Sequence, residues 1–145
     1  MVISQGEVWW DEPTRVEVRD RPWVDCEALD RRDPKRPPLQ MQVQRAMVRD
    51  ERYSEWRDQG RVGLPSGTTA QQAPAILKEA IENKRSRASS DVILLLDADR
   101  LPWLALRDVI AEFRRLYGES ARRVGFRAIY VVPWHVSAIA QLDTP

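Results

Sequence analysis

A chain of 145 residues, 43% hydrophobic and 31% charged, is long enough to bury one core without disulfides or structural metals. Its formal net charge of +1 excludes a global field that would gather nucleic acid or an anionic membrane by charge alone. The longest apolar runs are five residues, against the roughly 20 that a membrane-spanning helix needs. The single cysteine, Cys26, excludes an internal disulfide framework and fits a reducing compartment. The opening Met1-Val2-Ile3-Ser4-Gln5 lacks the charged and apolar regions of a signal peptide. The expectation is a cytoplasmic bacterial protein, with no membrane as partner, folded as a single α/β domain over residues 1–145.

The stretches Glu7 to Trp10 and Thr14 to Arg19 read as two arms of a β-hairpin (1–19) turning at Asp11-Glu12-Pro13. In the second arm Val16 and Val18 alternate with Arg15, Glu17 and Arg19, the period-2 pattern of a half-buried strand. Residues 20–38 carry Pro22, Pro34, Pro37 and Pro38 among charges, which predicts mostly loop. From Leu39 to Gln59 a helix is expected, with Leu39, Val43, Ala46, Met47, Asp50 and Tyr53 near one face. Residues 60–72, with Gly63, Pro65 and Gly67, read as a second loop.

An α-β-α-β core is expected over residues 73–133. It opens with a helix from Ala73 to Arg87, with Ile76, Leu77, Ala80, Ile81 and Lys84 on one stripe and Pro74 in its first turn. Val92 to Leu96 is the continuous apolar run of a strand covered on both faces. A helix over Leu104 to Tyr117 follows, with Gly118 as its expected C-cap. A right-handed crossover then lays Ala128 to Val132 parallel to the first core strand. A short helix, Ser137 to Leu142, is expected to close the fold. The sum is a mixed sheet, with an N-terminal antiparallel hairpin, a C-terminal parallel β-α-β pair, and helices packed on it.

Parallel sheets bind ligands beyond the carboxyl ends of their strands. That places Asp97, Asp99 and His135, the single histidine, on one edge. Two carboxylates there can hold Mg²⁺ through water, or one can orient His135 for acid–base work; both readings stand beside simple turn formation. The hairpin gathers Glu7, Asp11, Glu12 and Glu17, a second candidate for a divalent cation. Arginine dominates residues 100–127, seven against three acids. Arg107, Arg114 and Arg115 are therefore candidate contacts for DNA or RNA phosphates, against the plainer reading of a solvated helix face. Six Trp residues offer base-stacking surfaces or core packing.

The run Ile76-Leu77-Lys78-Glu79-Ala80-Ile81-Glu82-Asn83-Lys84, followed by Val92-Ile93-Leu94-Leu95-Leu96-Asp97, resembles a segment of the restriction-endonuclease-like, PD-(D/E)xK superfamily. There a helix of the form L-x-x-A-I-x-x-K precedes a strand of the form D-x-L-L-L-D. The resemblance spans about residues 73 to 133 and implies a core of helix, three-strand meander, helix and parallel strand. It implies a nucleic-acid role with Mg²⁺ as cofactor if the nuclease is active. Asp11 and Glu17 then stand nearest the metal-binding acids, and Arg19 or Lys84 takes the phosphate. The departures, with Arg19 in the third motif position and no N-terminal core helix, imply a degenerate member without cleavage. A shorter resemblance, over Ile3-Ser4-Gln5-Gly6-Glu7-Val8-Trp9-Trp10, is to the MazF-like toxins and implies an endoribonuclease. The competing class is a protein–protein module, a homo-oligomer using the Trp-bearing hairpin.

Overall fold

A computed structural model describes residues 16–46, 72–98, 106–132 and 139–144. These form an α/β fold: one six-stranded mixed sheet in the order β1-β2-β3-β4-β5-β6, carrying two helices. The strands are β1 (Val16–Arg19), β2 (Cys26–Asp30), β3 (Leu39–Arg45), β4 (Val92–Asp97), β5 (Ala128–Val132) and β6 (Ala140–Gln141). Helix α1 spans Ala73–Asn83 and α2 spans Leu106–Val124. β1, β2 and β3 make an antiparallel meander; β4 and β5 continue in parallel from β3, and β6 returns antiparallel to β5. Among the described residues no helix is long and apolar enough to cross a membrane.

The sheet has two apolar faces because its central strands are apolar at successive positions. Val92, Leu94 and Leu96 of β4 join Ile129 and Val131 of β5 under the two helices. Ile93 of β4 joins Met41, Leu39, Ala28 and Tyr130 on the opposite face. Helix α1 contributes Leu77, Ala80 and Ile81, and α2 contributes Val109, Ile110, Phe113, Ala121 and Val124 to the first cluster. Phe113 and Leu77 are fully buried; a side chain of that size contributes about 1.5–3 kcal/mol by leaving water. Pro74 stands in the first turn of α1 as expected, where a missing N–H costs nothing.

Four expectations are corrected. Residues 26–30 form a strand rather than loop: Pro22 and Pro34 bound β2 instead of interrupting it. Residues 39–45 are strand, not helix. Leu39 and Met41 pack on one face while Gln40, Gln42 and Gln44 take the other, a period of two. Helix α2 runs through Gly118 and ends at Val124, followed by Gly125 at φ 95°, a left-handed conformation that glycine adopts without a Cβ penalty. Residues 140–141 are strand, not helix; β6 pairs with β5, and Leu142 N donates to Ile129 O at 2.8 Å just beyond it. The first hairpin arm, Glu7 to Trp10, and the segment 47–71 lie outside the described residues.

Candidate functional site

One cluster brings together groups distant in sequence. Cys26 pairs with Met41 in the β2–β3 ladder; continuing that register by one residue sets Asp25 opposite Gln42. Alternation along β3 turns Gln42 toward the helix-bearing face, because Met41 belongs to the other. Lys84, at the C-cap of α1, then reaches across. Its Nζ donates to Asp25 Oδ2 at 2.9 Å and to Gln42 Oε1 at 3.0 Å. Asp25 Oδ2 also accepts from Val43 N at 2.7 Å, and Gln42 Nε2 donates to Trp23 O at 3.2 Å. Gln42 is 3% exposed, so both ends of its amide are satisfied inside the protein.

Burial alone would raise the Asp25 carboxyl. Hydrogen bonds from Lys84 and Val43, with the charges of Lys84 and Arg87, outweigh burial and hold it below the ordinary aspartate value. Asp25 is therefore a carboxylate near neutral pH, and an ammonium already compensates it. The cluster opens into a cleft of about 290 Å³ that Arg21, Trp23 and Arg87 also line.

The expected site residues fall in separate places. Glu17 lies on β1 and accepts from Arg19 Nε at 2.6 Å, with Arg31 Nε 3.8 Å away. The hydrogen bond from Arg19 holds the Glu17 carboxyl below its ordinary value. Asp97 ends β4 opposite Arg45, whose Nε is 3.4 Å from Asp97 Oδ2. Glu17, Lys84 and Asp97 thus hold different partners. Asp11, Asp99 and His135 lie outside the described residues, as do Ile3 to Trp10. Arg115 is paired with Glu112 and Arg123 with Glu119 along α2. Arg114 donates to Gln141 O at 2.5 Å, tying α2 to β6, and Arg107 is exposed. Sequence reasoning picked Lys84 but missed Asp25 and Gln42; the signal was the alternation Leu39-Gln40-Met41-Gln42-Val43-Gln44.

The donor set is a poor fit to Mg²⁺. A hard cation with a strong octahedral preference calls for carboxylates, and this cluster offers one carboxylate, one neutral amide and an ammonium between them. Among the described residues no group of three His, Cys, Asp or Glu side chains converges. Scans of family models, of curated proteins and of solved structures return no match to the chain.

Proposed function

We propose that this chain is a nucleic-acid-associated protein with a restriction-endonuclease-like core whose metal site is degenerate, so that it binds without cleaving. The observation that carries this reading is the convergence of Asp25, Gln42 and Lys84 at the junction of β2, β3 and α1. A three-strand meander, a helix and a parallel strand follow one another as in the core that the resemblance implies, without its leading helix, and a second helix and a second parallel strand extend them. In that arrangement Lys84 Nζ stands between the oxygens of Asp25 and Gln42 where a cation would bind, and its charge does part of a cation's work. Gln42 supplies an oxygen without the second negative charge that hydrolysis through a divalent ion calls for.

The test is titration of a mixed DNA and RNA pool with and without Mg²⁺ or Mn²⁺, following binding by anisotropy and cleavage on a gel. Metal-independent binding that weakens with salt, without cleavage, is expected. Cleavage abolished by Asp25→Ala would overturn the degenerate assignment, and no binding at any salt would overturn the whole reading. The competing reading, a protein–protein module, draws on Val18, 59% exposed on β1. Concentration-dependent self-association lost in Val18→Asp would favour it.

A further inference from the structure

The cleft beside Lys84 holds an aromatic group that the Asp25–Lys84–Gln42 contacts do not use. Trp23 lies just ahead of β2 and is 54% exposed. Its backbone is fixed, since Trp23 O accepts from the buried amide of Gln42. Its ring is also held. Arg21 donates from Nε and Nη2 to Glu27 Oε1, at 3.0 and 2.8 Å, and Glu27 is 4% exposed. That fork sets the Arg21 guanidinium carbon 5.9 Å from the centroid of the Trp23 ring, within range of a cation–π contact. A buried carboxylate thus orients an arginine, and the arginine braces a tryptophan more than half open to water. Such bracing lowers the ordering cost when a flat ligand lands on the ring.

Charge and size narrow the ligand. Within the cleft Lys84 is matched by Asp25 and Arg21 by Glu27, leaving Arg87 and Asp20 of opposite sign on its lining. A nearly neutral cleft gathers few phosphates, so affinity must come from the aromatic face. Its volume, about 290 Å³, lies just under the range of ligand pockets, roughly 300–1,000 Å³. That is room for one nucleotide and too little for a duplex.

We infer that the cleft takes one unpaired nucleotide, its base stacked on Trp23 and its phosphate at Arg87, so that the protein selects single-stranded nucleic acid over duplex. This rests on the nucleic-acid reading above. In a duplex every interior base is already stacked on both sides, and only the two end pairs offer a face to Trp23. A single strand offers one at every position.

The experiment uses the full chain, Trp23→Ala and Trp23→Phe, with a labelled eight-nucleotide single strand and the blunt duplex of the same sequence. The wild type is expected to bind the single strand more tightly. Trp23→Ala should lose roughly 5- to 150-fold on the single strand and far less on the duplex, while Trp23→Phe retains most of the affinity. With one or two phosphate contacts, the log–log salt slope should be shallow, about −0.7 to −1.4. Equal single-strand affinity for wild type and Trp23→Ala, or preference for duplex, overturns this inference and leaves the nucleic-acid reading standing. Binding to neither form overturns both.

Discussion

Replacing Lys84 with Met keeps the alkyl stem and removes the ammonium, which isolates the polar content of the cluster. Two losses follow. The ion pair to Asp25, whose side chain is 42% exposed, is screened by solvent and is worth about 1 kcal/mol or less. Gln42 Oε1 loses its donor on a residue 3% exposed; an acceptor buried without a partner costs about 1–3 kcal/mol. The sum is about 1–4 kcal/mol, or a fall in Tm of about 3–13 °C for a chain of this length. Urea denaturation across pH measures it. Asp25 titrates below its ordinary value of 3.8, so its share of stability is complete above the unfolded-state pKa and is lost as pH falls through the lower folded value. The deficit of Lys84→Met should therefore shrink below about pH 4 by the ion-pair share, while the Gln42 share persists. Adding Gln42→Leu to Lys84→Met should restore part of the remainder, because the buried Gln42 Oε1 is then gone and the acceptor that loses its donor is Trp23 O, on a residue 54% exposed. A deficit under about 0.5 kcal/mol at pH 7, or one that grows in acid, would refute the assignment.

Gln42→Glu places a second carboxylate beside Asp25, and calorimetric titration should show Mn²⁺ bound at least about tenfold more tightly than by the wild type; equal heats would contradict the fit argued for this donor set. Gly118→Ala and Gly125→Ala should act in opposite directions. At Gly118 an added Cβ meets Arg114 Cβ at 3.8 Å, ordinary contact, so alanine should stabilise α2 by about 0.5–1 kcal/mol. At Gly125 an added Cβ meets nothing within 4 Å, and φ of 95° alone should make alanine cost about 1–2 kcal/mol. Thermal melts of the pair that move together would refute this account. Leu77→Ala, at a fully buried position linking α1 to the sheet, should cost about 2–5 kcal/mol in denaturant titration.

The C-terminal half of the fold was legible because its signals are strong and local. Val92 to Leu96 is an unbroken apolar run, and α2 repeats its apolar residues at helical spacing. The meander was legible only in part. Period-2 alternation is plain in Leu39-Gln40-Met41-Gln42-Val43-Gln44, yet the spacing of Leu39, Val43, Ala46 and Met47 also satisfies a helix. Pairing with β2 and β4 decides between them, and pairing is a tertiary fact. The site suffered more, because Lys84 lies 59 residues from Asp25 and 42 from Gln42. Asp97 and Glu17 stand out in the sequence as acids on strands; in the fold each is matched by a nearby arginine. A glutamine at Gln42 advertises no chemistry until a lysine is found on its amide oxygen.

Strand order in the sheet follows chain order from β1 to β6 without a jump. None of the described strands has to insert between two already joined. As the chain leaves the ribosome, each new strand can therefore add to the outer edge of the sheet already formed, with α1 and α2 laid down between additions. Until β4 arrives, β3 presents an open row of N–H and C=O groups. That row is the template to which another chain can pair. Gln40, Gln42 and Gln44 on one face and Arg45 at its end keep one side of that interim edge strand polar, while Leu39 and Met41 hold the other against β2.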